Sequence, residues 1–243
     1  AMLDAVVVDE WHVLAGSTRG AQLELCLARL RALRPELQTW GLSATLANLD
    51  EAMSVLCPEA SQPRLVAGEM PKHTEVDAIM PSDLEQFPWS GHLGLALIDE
   101  VVAQIERATT TLVFTNTRSQ SELWFEALMK ARPDWVGRIA LHHGSIDRGL
   151  RKKIEQALKS GELLAVVCTS SLDLGVDFAP VDQVLQIGSP KGVARLMQRA
   201  GRSGHQPGAT SQVWCVPTYA LELVEIAAAR DAWRAQRIEA RPA

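Results

Sequence analysis

Apolar residues recur along this chain in two rhythms that take turns. Short runs such as Val6-Val7-Val8, Thr111–Thr115, Leu163–Thr169 and Gln183–Ile187 read as strands, and the first is apolar enough to suit a strand covered on both faces. Between such runs the apolar spacing becomes three and four. Leu23, Leu27 and Leu30 mark a helix over 21–34 ended by Pro35, and Leu95, Ile98, Val102 and Ile105 mark one over 92–108. In full, the pattern predicts strands over 3–9, 37–42, 75–80, 111–115, 138–142, 163–169, 183–187 and 211–216. Further helices are predicted over 49–56, 119–131, 147–160, 190–200 and 219–233, with Ser189-Pro190 opening the helix over 190–200 as cap and first turn. Residues 16–20 and 81–91 read as loops, and 57–71, punctuated by Pro58, Pro63 and Pro71, as a linker carrying a short strand over 64–67.

Strand and helix alternate regularly, which predicts an α/β fold with a parallel sheet covered by helices on both faces. Residues 71–233 supply a complete unit of this kind. Residues 1–70 supply two strands and two helices, too few for a stable sheet alone, and 234–243 read as a polar tail.

Composition narrows the picture. With 47% hydrophobic and 22% charged residues the chain can bury an ordinary core, and it has neither a run of about 20 apolar residues nor a basic-apolar leader. A cytoplasmic protein with no membrane partner is expected. Cys26, Cys57, Cys168 and Cys215 are scattered, fitting neither a metal site nor a disulfide framework. The net charge of −5 argues against a basic nucleic-acid-binding surface, although phosphate contacts need only a local track.

Candidate chemistry collects where strands end, the edge at which open α/β sheets bind ligands. Asp9 and Glu10 follow the first strand. Such a pair can hold Mg²⁺ with one acid and activate a water with the next; the plain alternative is two solvated acids. Trp11 lies beside them, whereas the other tryptophans read as packing. Arg195, Arg199 and Arg202 fall at i, i+4 and i+7 on one helical face, with Gln198 four residues before Arg202. Guanidiniums so placed repel one another unless an anion faces them, and Gly201 and Gly204 would let backbone approach it; the plain alternative is a solvated basic face. Asn116-Thr117-Arg118, His142-His143-Gly144-Ser145 and Thr169-Ser170-Ser171 end three strands and could meet phosphate oxygens, or simply cap helices through Ser119, Asp147 and Ser171. Asp173, Gly175 and Asp177 could equally form a turn with a capping acid. The adjacent His142 and His143 lack the further ligands of a metal site.

These pieces, in this order, resemble the superfamily 2 helicases, and among them the Lhr-type group that includes bacterial ligase-associated DExH-box helicases. Asp9-Glu10-Trp11-His12 is similar to motif II, Ser43-Ala44-Thr45 to motif III and Val113–Arg118 to motif IV. His142–Ser145 is similar to the following nucleic-acid-contact motif, Thr169–Asp177 to motif V, and Gln198–His205 to motif VI, with His205 where many relatives carry Arg. The resemblance implies a RecA-like second domain with a remnant of the first, ATP and Mg²⁺ as cofactors, and nucleic acid as partner, DNA ahead of RNA, in DNA repair. It implies Asp9 on Mg²⁺ through water, Glu10 as catalytic base, and Arg199 and Arg202 as arginine fingers. His12, Gln198, Gly175 and Asp177 would lie near the nucleotide. Ser43, Ala44 and Thr45, with His12, would couple nucleotide state to domain movement. Asn116, Arg118, His143, Gly144, Ser145, Thr169 and Ser170 would touch the nucleic-acid backbone.

No G-x-x-x-x-G-K-[ST] loop, the triphosphate cradle, occurs in the 243 residues. The expectation is the C-terminal half of a helicase core, inactive alone, with an N-terminal RecA-like domain before it and a winged-helix domain after. Two other readings stand beside it: a non-catalytic RecA-like module binding nucleic acid or protein, and a nucleotide hydrolase unrelated to nucleic acid.

Overall fold

The structure is a computed structural model that describes residues 3–43, 48–58, 63–66, 73–80, 94–173, 181–204, 210–235 and 237. Ala44, Thr45, Gly175, Asp177 and His205, and the loop over 81–91, lie outside them. The chain divides into two units, one within Ala1–Met70 and one spanning Pro71–Ala235. No helix among the described residues is long and apolar enough to cross a membrane.

In the smaller unit β1 (Ala5–Val8) pairs in parallel with β2 (Gln38–Gly41). A short turn of helix, α1 (Trp11–Leu14), follows β1, then α2 (Thr18–Leu33); α3 (Leu49–Leu56) follows β2. The loop expected over 16–20 is instead the start of α2. Ser17 caps it by accepting from the Gly20 amide at 3.1 Å, and a Cβ on Gly20 would stand 2.1 Å from the Leu14 carbonyl oxygen. Nor is β1 covered on both faces: Val7 is 58% exposed and its register partner Trp40 59%. The apolar core lies on the other side of the pair, where Val8, Trp11, Leu27, Ala52 and Leu56 pack together. Trp11 belongs to that core, its indole N–H donating to the Ala52 carbonyl at 3.2 Å, so its place beside the acids is architectural. The short strand expected over 64–67 is absent from 63–66, which carry no regular structure.

The larger unit holds six parallel strands in the order β3 (Thr74–Ala78), β8 (Ser211–Val216), β7 (Gln183–Ile187), β4 (Thr111–Phe114), β6 (Ala165–Cys168), β5 (Ile139–His142). Side chains alternate across it. Leu112, Phe114, Val166, Cys168 and Val184 join one cluster with Leu158, Leu196 and Ile226. Val113, Ala165, Val167, Leu185 and Ile187 join a second with Val101, Ile105, Trp124 and Leu128. Helices α6 (Arg148–Lys159), α7 (Val193–Ala200) and α8 (Ala220–Arg234) thus cover one face, and α4 (Ile98–Ile105) and α5 (Arg118–Ala131) the other. Burial on both faces explains the unbroken apolar runs of the central strands.

In this unit three helix starts differ from the sequence expectation. The helix expected over 92–108 begins after Gly94 (φ 73°) with a 3-10 turn at Leu95–Leu97. Thr117, not Ser119, caps α5, accepting from the Gln120 amide. Helix α7 starts at Val193 and not at Pro190, because Lys191 (φ 60°) and Gly192 (φ 128°) turn the chain first. Asp147 does cap α6, accepting from Gly149 and Leu150.

Candidate helicase site

The acids of the smaller unit sit on a strained turn. Glu10 has φ 52° and ψ 40°, a left-handed conformation costing a non-glycine residue about 1–2 kcal/mol. Hydrogen bonds on all sides hold it there. Its amide donates to Asp9 Oδ1 at 2.9 Å, its carbonyl accepts from Val13 at 2.8 Å, and the next amide, of Trp11, donates to the Leu42 carbonyl at 2.9 Å. The turn leaves Asp9 exposed at the carboxyl end of β1, with Glu10 Oε2 3.5 Å from Nδ1 of the buried His12. Among the described residues no group of three metal-ligating side chains exists. A single exposed carboxylate suits Mg²⁺, which keeps most of its waters and takes one or two carboxylates with substrate phosphates. Ser43 follows β2 and is exposed.

In the larger unit, strand order brings the candidate nucleic-acid residues together. β4, β6 and β5 are neighbours, so the segments after them, at 116–118, 169–170 and 143–145, lie side by side across about 10 Å. Arg118 reaches from the first turn of α5 to Ser145 Oγ (3.3 Å) and lies 3.5 Å from Glu122 Oε1. The same carboxylate oxygen is 3.3 Å from His143 Nε2, and the Ser145 amide donates to His143 Nδ1 at 3.3 Å, which puts the ring proton on Nε2. Gly144 is exposed, and an added Cβ would meet nothing within 4 Å. Ser170 is exposed and Thr169 partly so. Asn116 donates from Nδ2 to the Ser189 carbonyl (2.8 Å), whereas its buried Oδ1 has no hydrogen-bond partner among the described residues.

Beneath this edge Arg199 corrects the expectation of an open basic face. It is 1% exposed. Its guanidinium grips Asp173 through Nε (2.9 Å) and Nη2 (3.3 Å), donates to Gln186 Oε1, and lies 4.6 Å over the Phe114 ring. Helix α7 ends at Ala200, so Arg199 sits on its inward-turned last turn while Arg202 falls beyond the helix and does not continue the stripe. Arg202 is half-buried and donates from Nη2 to the Asp173 carbonyl at 2.7 Å. The buried Gln198 Nε2 finds no hydrogen-bond partner among the described residues.

Several supporting residues escaped the sequence reading. Gln186 interrupts an apolar strand, a sign that a buried polar partner waits for it. Glu222 is 5% exposed and fixes the turn after β7, accepting from the Ser189 amide (2.8 Å) and from the Thr218 amide and hydroxyl. Gly188 on that turn has φ 73°, and a Cβ there would stand 3.3 Å from Glu222. Ser171, expected as a cap, instead donates to the His142 carbonyl (3.0 Å) and lies 2.8 Å from His142 Nδ1.

His142 is fully buried, its Nε2 3.1 Å from Glu155. Burial lowers its pKa below the usual 6.5; Glu155 opposes that shift, while Arg151 and His143 add to it. The folded state therefore binds the proton more weakly than the unfolded chain does. The contribution to stability is complete above about pH 6.5 and is lost as pH falls below it, by at most about 1.4 kcal/mol per pH unit. Urea unfolding at pH 7.5 and 5.5 is expected to show a smaller loss in His142→Gln than in the parent chain; equal losses would refute the assignment. Burial also pushes the Cys168 thiol far up and that of Cys215 to about 12, so both are inert packing.

Comparison with known proteins decides the family. Residues 2–52 match the family described as DEAD/DEAH box helicase, and 94–206 the helicase conserved C-terminal domain. The ATP-dependent helicase Lhr-Core protein 2 of Thermococcus barophilus is 39% identical over 206 residues, covering 83% of this chain and 24% of that protein. The Lhr helicase/uracil glycosylase of Escherichia coli is 32% identical over 285 residues, covering 98% of this chain and 18% of its own length. Among solved structures, Mycobacterium smegmatis helicase Lhr bound to ssDNA and AMP-PNP superposes with a TM-score of 0.84 at 32% identity, covering 98% of this chain and 32% of that one.

This chain belongs to the Lhr-type superfamily 2 helicases. Its fold is the RecA-like α/β fold of that group, and the chain spans about a quarter of the length of the first curated Lhr-Core relatives it matches.

Proposed function

We propose that this chain is the C-terminal half of the motor core of an ATP-dependent DNA translocase, carrying the hydrolytic acids on one unit and the transition-state arginine on the other. Asp9 would hold Mg²⁺, which would supply charge neutralisation on the phosphates. Glu10 takes the proton of the attacking water, and Arg202 stabilises the charge developing on the γ-phosphoryl group. Arg199 holds Asp173, and so Arg202, in position. The buried Gln198 Nε2, which has no hydrogen-bond partner among the described residues, is a group for bound ATP to satisfy. His12 and Ser43, with Ala44, Thr45, Gly175 and Asp177, complete the nucleotide-responsive set.

On the other edge Asn116, Arg118, His143, Gly144, Ser145, Thr169 and Ser170 take the sugar-phosphate backbone. One observation carries this most directly: Arg118, His143 and Ser145 meet at the exposed ends of neighbouring strands, beside Gly144, where an added Cβ would meet nothing within 4 Å. The ssDNA held by the Mycobacterium smegmatis relative supports DNA over RNA, and the name of the Escherichia coli relative, which pairs helicase with uracil glycosylase, fits a repair setting.

The 243 residues by themselves are expected to hydrolyse essentially no ATP with or without single-stranded DNA, since they hold no phosphate-cradling glycine loop. The full-length protein is expected to show DNA-stimulated hydrolysis that Glu10→Gln abolishes. DNA binding with no hydrolysis by the intact full-length protein would replace this reading with that of a binding module.

A further inference from the structure

Helix α6 carries an unexplained basic stripe. Its sequence, RGLRKKIEQALK, holds five cations and one acid in a chain whose net charge is −5. Arg148, Lys152 and Lys159 are all exposed, and at 100° per residue they fall within about 40° of one another. The opposite side of the helix packs on the sheet through Ile154, Ala157 and Leu158. Glu155, about 20° beyond Arg148 on the helix, is turned to His142 Nε2 at 3.1 Å, and Lys159, though exposed, also has a contact of its own within the chain. Among the described residues no carboxylate pairs with Arg148 or Lys152, which as an i, i+4 pair of like charge disfavour the helix.

The position of the stripe says what faces it. β5 is the outermost strand of the sheet, and Gly144-Ser145 at its end run through the cap Asp147 into Arg148. A crossover helix runs antiparallel to its strands, so the stripe leads from the nucleic-acid edge down the flank of the unit for about 16 Å, more than two phosphate spacings along a strand. We propose that Arg148, Lys152 and Lys159 form a second phosphate track, which takes the nucleic-acid backbone as it leaves the Gly144-Ser145 edge. An acidic protein surface would fit the charge but not this continuity with the backbone-binding edge. The inference rests on the nucleic-acid reading of that edge.

Salt dependence tests it. Each phosphate neutralised by a cation contributes about 0.7 to the slope of log Kobs against log salt for a single strand, and about 0.9 for duplex. In the full-length protein, R148Q/K152Q/K159Q is expected to make that slope shallower by about 2 for a labelled single-stranded oligodeoxynucleotide, or by about 2.7 if duplex occupies the track. ATP affinity is expected to be unchanged. A control variant, R107Q/K130Q, neutralising cations next to α4 and α5 on the other face of the sheet, is expected to change the slope by less than 0.5 unit. An unchanged slope in the triple variant, with binding weakened by Arg118→Ala, would overturn the track and leave the edge standing. An unchanged slope together with intact binding in Arg118→Ala would overturn both.

Discussion

Arg202→Ala in the full-length protein is expected to lower kcat for DNA-stimulated ATP hydrolysis roughly 10³-fold or more, with KM for ATP changed far less. Arg202 lies in the turn just beyond α7, half-buried, with Nη2 donating to the Asp173 carbonyl at 2.7 Å. A group that acts on charge present only in the transition state contributes to kcat rather than to ground-state binding. Lysine restores the charge but not the planar fork, so Arg202→Lys is expected to recover only part of the rate. Steady-state kinetics at saturating DNA decide it. A kcat within tenfold of the parent would remove Arg202 from the chemistry.

Arg199→Ala is expected to act through stability instead, costing the larger unit about 3–5 kcal/mol. The loss arises because Asp173, 6% exposed, is left buried without the guanidinium that pairs it, Gln186 Oε1 loses its donor, and Phe114 loses the cation over its ring. Urea unfolding measures this directly. Replacing both partners by apolar side chains of similar size, as in R199M/D173L, is expected to recover most of the loss, because the penalty lies in the stranded charge more than in the missing attraction. A loss under about 1 kcal/mol for Arg199→Ala would mean that the ion pair is solvated in solution. The two neighbouring arginines of one motif thus separate cleanly, one read out in turnover and the other in folding.

How much of this was legible in the sequence follows from what each signal reports. The parallel sheet was visible because strands buried on both faces write themselves as unbroken apolar runs, as at Leu112-Val113-Phe114 and Val166-Val167-Cys168. Helix starts were less so. The break at Lys191-Gly192 depends on two positive φ angles, which Ser189-Pro190 masked by resembling a good cap and first turn. In the candidate site, spacing placed Arg195, Arg199 and Arg202 on one face, because an i, i+4, i+7 pattern reports only a helical stripe and not which way it turns. The direction is fixed by Asp173 and Gln186, 26 and 13 residues away from Arg199. Tertiary pairing over such distances leaves no local trace, and the same holds for Glu222 beneath the turn at Ser189. The side-by-side ends of β4, β6 and β5 depended in the same way on strand order, which alternation does not specify.

The 3-10 turn Ser170–Leu172 ends on Asp173, whose carbonyl accepts from Arg202. Thr169 and Ser170, the groups assigned to the polynucleotide, therefore stand three or four residues from the tether of the finger, joined by bonds from the Leu172 amide to the Thr169 carbonyl and from the Asp173 amide to that of Ser170. The segment proposed to meet the polynucleotide and the carbonyl that receives Arg202 are thus parts of one continuous turn.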